Sequence, residues 1–155
     1  MAVNSKEIII PKEEAVFWLD RNGRWHNEHG EFQHSKIIKF FHASIKRDAN
    51  GYYLGQTRDG FREKVYFRYE DAALFAVDVI AADDVNLVLN TRRQTKLKPT
   101  RLFTKDENLY MQNGPDKIKF IERGLMKISD FLAYEDDRYF IKINGRRYQI
   151  KDGSS

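Results

Sequence analysis

The chain has 155 residues, of which 41% are hydrophobic and 32% charged, with a net charge of +4. That length suits one ordinary domain or two small ones, burying roughly 70% of the surface exposed on unfolding, and the composition excludes extended disorder. There is no cysteine, which excludes disulfides, iron–sulfur clusters, thiolate zinc sites and a cysteine nucleophile.

The first segment, MAVNSKEIIIPKEE, has only three consecutive large apolar residues before Pro11, short of a signal-peptide core. The longest apolar stretch, ALFAVDVIAA, carries Asp78 and is too short to span a bilayer. A cytoplasmic protein without membrane association is expected.

FWLDRNGRWHN reads as a strand, a turn at Asp20–Gly23 and a second strand carrying Trp25. His26, His29 and His34 follow closely. Zinc needs three or four ligands converging at about 2.0–2.1 Å from nitrogen donors, and this spacing matches no standard ligand set. The expectation is a polar hairpin rim and no metal. SKIIKFFHASIKRD opens on Ser35 as N-cap, and Ile38, Phe41 and Ile45 have the spacing of one helical face. NGYYLGQ is a strand entered from a turn at Asn50–Gly51. After the TRDGF turn, EKVYFRY puts Val65, Phe67 and Tyr69 on one face and Lys64, Tyr66 and Arg68 on the other. ALFAVDVI and VNLVLNT flank AADD, a further hairpin.

The second half repeats this order. LFTKDENLYMQNG is a hairpin with Tyr110 placed as Trp25 is, 85 positions on. ERGLMKISDFLAYED is a helix whose Leu125, Ile128 and Leu132 match Ile38, Phe41 and Ile45 at an offset of 87. DRYFIKI and GRRYQIKD close it as strands, with Tyr139 matching Tyr52. A divergent duplication explains the pattern, with repeats over 1–91 and 92–155. The second copy puts Met111 for His26, Ile121 for His34 and Ser129 for His42, so the architecture does not require those imidazoles.

Residues 1–82 hold 12 Lys/Arg and 12 Asp/Glu, whereas 83–155 hold 15 and 11. The excess gathers in TRRQTKLKPTR, with Arg92, Arg93, Lys96, Lys98 and Arg101 and no acid. This reads either as a solvated connector or as a local anion site. No phosphate-binding glycine loop, nucleophile elbow or metalloprotease helix is present. The pairs in EDDR and AADD sit at turns, where Asp is favoured for local bonding. Nucleic-acid binding lacks a motif and sufficient charge.

LDRNGRWHNEHGEFQHSKIIKFFHASIKRDANGYYL, followed by EKVYFRYEDAALFAVDV, resembles the bacterial domain of unknown function 1285 family. The likeness rests on Asp20, Gly23, Trp25, Phe41, Gly51 to Leu54, Glu63, Lys64, Glu70 to Ala72, Phe75 to Val79, Asn90 and Thr91. It runs from about residue 15 to residue 150. The chain departs from the pattern in LGQTRDGFREK and NTRRQT. The resemblance implies an α+β protein of two related subdomains, the second pleckstrin-homology-like. Members of that family have no established enzymatic activity, and the resemblance implies a small nucleotide-like ligand bound between the subdomains in signalling. The expected site is a cleft lined by Trp25, Lys64, Tyr66, Asn90, Arg92 and Arg93, with no cofactor. Arg92 and Arg93 would engage an anionic group, Lys64 would add charge, and Tyr66 or Trp25 would offer a ring face, Trp25 reading otherwise as a core plug of its hairpin. A protein-interaction module meeting an acidic partner is the alternative, followed by a small metal-dependent hydrolase using His26, His29 and His34.

Overall fold

The computed structural model describes residues 6–153. The protein is α+β and divides into two compact units, Met1–Ala73 and Leu74–Ser155. The boundary expected at residue 91 is thus displaced, because the strands formed by residues 74–81 and 85–89 pair within the second unit's sheet.

The first unit runs β1 (Lys6–Ile10), β2 (Phe17–Leu19), β3 (Trp25–Asn27), β4 (Gly30–Glu31), α1 (Ser35–Ala43), β5 (Ile45–Asp48), β6 (Gly51–Arg58), β7 (Phe61–Tyr66) and β8 (Arg68–Tyr69). They form two four-stranded sheets, ordered β4-β3-β2-β8 and β1-β7-β6-β5. The β2–β3 turn is fixed by Asp20, whose Oδ1 accepts from the backbone N–H of Asn22 (2.8 Å) and Arg24 (3.0 Å). The β6–β7 turn places Asp59 and Gly60 at φ of 51° and 79°, the paired positive angles of a two-residue hairpin turn.

Ser35 is the first helical residue and His34 occupies the cap position without a side-chain cap bond. The helix is shorter than its periodicity implied. Ser44 returns both its N–H (3.0 Å) and its hydroxyl (2.7 Å) to the Phe40 carbonyl, and Ile45 opens β5 as a buried strand residue. The three–four spacing continued past the helix because Ile45 faces the same core.

Trp25 is the centre of that core, 1% exposed. The rings of Phe17, Phe41 and Phe67 meet it edge-on with centroids at 5.7, 5.3 and 5.0 Å, the arrangement that π quadrupoles favour. Its indole Nε1–H donates to His42 Nδ1 at 3.2 Å, which requires that nitrogen to be unprotonated. Burial holds the His42 pKa down to about 4 from its usual 6.5. The neutral ring is therefore favoured in the fold. The associated stability is complete above pH 6.5, falls as the pH drops toward 4, and falls no further below it. The full loss is roughly 3 kcal/mol. Urea unfolding between pH 7 and 4 should show a steep acid limb that flattens in His42→Gln; equal slopes in both proteins would refute this assignment.

The second unit runs β9 (Leu74–Ala81), β10 (Val85–Leu89), β11 (Gln94–Lys96), β12 (Leu102–Lys105), β13 (Asn108–Asn113), β14 (Asp116–Phe120), α2 (Glu122–Ile128), β15 (Leu132–Glu135), β16 (Arg138–Ile143), β17 (Arg146–Gln149) and β18 (Lys151–Asp152). Its sheets are ordered β11-β10-β9-β14-β13-β12-β18 and β15-β16-β17. Leu87, Leu102, Met111, Ile118, Phe120, Ile128 and Ile141 form the heart of its core. Here too a residue expected on the helix, Leu132, begins the next strand instead. The basic stretch is likewise no linker: it forms the β10–β11 turn, β11 and the segment leading to β12.

The succession β2 to β8 around α1 recurs as β12 to β18 around α2. In both units the first strand of the succession pairs parallel with the last: Trp18 with Arg68 and Leu19 with Tyr69, Phe103 with Lys151 and Thr104 with Asp152. Strands β1 and β9 to β11 stand outside this common order. No helix is long and apolar enough to cross a membrane among the described residues.

Candidate functional site

Tyr53, Gly55 and Thr57 alternate onto one face of β6. The register sets Lys46 beside Tyr53, Lys64 beside Gly55 and Arg62 beside Thr57, and brings Glu7 beside Arg62 from β1. The opposite face carries Ile45, Leu54 and Val65, all buried, so strand alternation alone sends the polar set outward. Gly55 leaves a gap in that set. A Cβ there would lie 3.0 Å from Tyr53 Cε2 and 3.2 Å from Lys46 Cδ. The gap opens into a hollow of about 530 Å³ lined by Glu7, Lys46, Tyr53, Gln56, Arg62 and Lys64 among others, within the size range of small-molecule sites.

Lys64 forms one wall and its charge is already answered. Its Nζ lies 3.1 Å from Asp48 Oδ2 and 3.2 Å from Glu7 Oε1. The hydrogen bond to Asp48, followed by that to Glu7, holds its pKa above the ordinary lysine range. Tyr66 donates its hydroxyl to the same Asp48 oxygen at 2.7 Å. That bond holds the Asp48 carboxyl below its usual value and raises the phenol. The Lys64 Nζ also sits 5.0 Å from the Tyr53 ring centroid, and the Tyr53 and Tyr66 rings are 5.4 Å apart. Gln56 Nε2 donates to Glu63 Oε1 at 2.7 Å. Lys46 and Arg62 have no ion pair among the described residues. The hollow therefore offers a braced lysine, a half-buried ring and two uncompensated cations.

Of the residues read from the sequence, Lys64 and Tyr66 meet at Asp48. Trp25 cannot offer a ring face, because its indole is enclosed by Phe17, Phe41, Phe67 and His42. Asn90 is buried and fastens the start of β9: its Oδ1 accepts from Phe75 N–H (3.1 Å) while its own N–H donates to the Phe75 carbonyl (2.9 Å). Arg92 and Arg93 are exposed in the β10–β11 turn, where Arg92 takes φ of 73° and donates its N–H to the Leu89 carbonyl at 2.9 Å. Their guanidinium groups are free to meet solvent ions, but the turn lies in the second unit. Lys46, Tyr53, Gly55 and Arg62 were not anticipated. Counting back across the Asp59–Gly60 turn, which pairs Arg58 with Phe61, would have set Arg62 beside Thr57 and Lys64 beside Gly55.

No family model matches the chain, and no curated protein matches it. Solved structures do. A DUF1285 family protein from Silicibacter pomeroyi DSS-3 superposes with a TM-score of 0.63 over 94% of this chain and 84% of that one, at 16% identity. The chain has the fold of a DUF1285 protein. A second DUF1285 family protein, from Shewanella baltica OS155, matches with a TM-score of 0.50 over 70% of this chain and 86% of that one, at 18% identity. At these identities the DUF1285 likeness speaks for the fold, and the site must be argued from this chain's own residues.

Proposed function

We propose that the chain is a non-enzymatic cytoplasmic binding protein that takes a small anionic, nucleotide-like ligand in the hollow above Gly55, as part of a signalling response. The observation that supports this is the pair of uncompensated cations, Lys46 and Arg62, on a concave surface that also presents the Tyr53 ring. Arg62 has the forked donors that suit phosphate or carboxylate, Lys46 adds a mobile point charge, and Tyr53 supplies a planar face for a base. Lys64 and Tyr66 act as positioning groups, since Asp48 and Glu7 already engage them. The sequence-based site shifts accordingly from Arg92 and Arg93 to the first unit.

The test is a thermal-shift and calorimetric titration of the full chain with ATP, GTP and inorganic phosphate at low and moderate salt. A ligand at a hundredfold excess over its dissociation constant stabilises by about 2.7 kcal/mol. Arg62→Ala with Lys46→Ala should weaken nucleotide binding at least tenfold. Gly55→Ala should weaken it as well, because the new Cβ would lie 3.0 Å from the Tyr53 ring and 3.2 Å from Lys46 Cδ and displace both from the hollow; circular dichroism of the variant checks that the sheet is retained. Affinity that survives both changes and disappears in the Arg92→Ala, Arg93→Ala double variant would move the site to the second unit.

A further inference from the structure

The outward face of β4-β3-β2-β8 carries a transverse row of side chains. The register sets Glu31 beside His26, His26 beside Trp18 and Trp18 beside Arg68. Asp20 folds in from the end of β2, bringing its Oδ2 to 2.7 Å from His26 Nε2. One ligand atom from each of Asp20, His26 and Glu31 lies within 4.8 Å of the other two. Donors on a tetrahedral zinc ion stand roughly 3.4 Å apart, given bonds of 2.0–2.2 Å. The cluster thus needs only small side-chain adjustments to enclose an ion.

We propose that Asp20, His26 and Glu31 form a binding site for a divalent first-row transition ion, Zn²⁺ foremost. One imidazole and two carboxylates without a thiolate suit Zn²⁺, Co²⁺ or Mn²⁺ better than soft ions. Three protein ligands leave a position for water or an exogenous anion. The donors are held in place beforehand. Asp20 uses its other oxygen to accept from the Asn22 and Arg24 backbones, and the Trp18 ring lies against His26 at 5.7 Å and 10° between planes. The Asp20 and His26 side chains are 15% and 24% exposed, so the ion would be partly withdrawn from water. Arg24 Nη1 sits 3.4 Å from Glu31 Oε1, a countercharge that a bound metal would replace. His29 takes no part, being exposed beside Glu28. Local histidine spacing concealed this set, which combines one histidine with two carboxylates across a hairpin.

The experiment is a titration of chelator-treated full-length protein with Co²⁺ and then Zn²⁺, followed by tryptophan fluorescence and calorimetry. Co²⁺ is expected to bind one ion per chain and quench Trp18, and Zn²⁺ to displace it and restore emission. Asp20→Asn keeps an oxygen for the turn, and His26→Asn keeps a polar group on the strand. Each should weaken binding on the order of a hundredfold, the upper end of the range typical of groups that only support a ligand, and the double variant should abolish it. Arg24→Ala should tighten binding by removing the competing cation, and His29→Asn should leave it unchanged. No saturable binding up to millimolar ion, full binding in the Asp20→Asn, His26→Asn double variant, or weaker binding in Arg24→Ala would each overturn the proposal.

Discussion

Trp25→Ala is expected to lower the unfolding free energy by about 3–5 kcal/mol, the range for truncating a large aromatic in a packed core. The reason is local to the first unit. Removing the indole takes away the surface shared by Phe17, Phe41 and Phe67 and leaves His42 without the donor that its Nδ1 accepts from. Because α1 contributes no fully buried residue, it has little else to collapse onto, and the cavity stays open. Trp25→Phe retains a ring in the cluster and should cost less. Urea unfolding followed by circular dichroism decides the matter, and a loss under 1 kcal/mol in Trp25→Ala would mean that the cluster is not the core of this unit.

Gly124→Ala tests the second unit in the opposite sense from helix propensity. In an unconstrained helix alanine is better than glycine by about 1 kcal/mol. Here a Cβ would overlap the Ala76 carbonyl and come within 3.2 Å of the Val77 carbonyl carbon, so the new atom meets backbone and not a pliable side chain. The helix must lift from β9, straining the contact of Lys127 Nζ with Asp78 Oδ1 (2.6 Å) and the burial of Ile128. Overpacking of this kind costs about 3 kcal/mol, and the melting temperature should fall by roughly 6–12 °C for a chain of this length. A raised melting temperature would show that α2 and β9 do not approach so closely.

Both positions show what the sequence revealed and what it concealed. Hairpins were legible because Asp-Gly and Asn-Gly turns and strict alternation are local signals, and Lys64 and Tyr66 were placed on the correct strand face by counting alone. The ends of the helices were not legible: Ile45 and Leu132 keep the helical spacing although they belong to strands, since one core is met by both elements. The unit boundary was missed because LFAVDVI does not encode its neighbour. Only the fold shows that β9 pairs with β14 on one side and β10 on the other. Asn90 looked like a ligand group, and Trp25 stayed open between core plug and ring face, because residue type does not encode burial, and an amide that fastens a strand start has the same formula as one that binds a substrate. In the candidate site, Gly55 was silent for the same reason: a missing side chain gains meaning only from the walls around it.

The parallel pairing of β12 with β18 also governs when the second unit can fold. Phe103 and Thr104 must wait for Lys151 and Asp152, and Gly153 N–H then reaches back to the Thr104 carbonyl, so the last strand is also the clasp. A nascent chain emerging from the ribosome in order can assemble β2 to β8 while the second unit is still being made. It cannot close the β12 edge until Lys151 and Asp152 have left the exit tunnel. Such non-local pairing slows folding, because loop-closure entropy is spent before the contacts form, and during that interval β12 presents an unpaired edge to its surroundings. A chain cut before Lys151 would carry that exposed edge permanently.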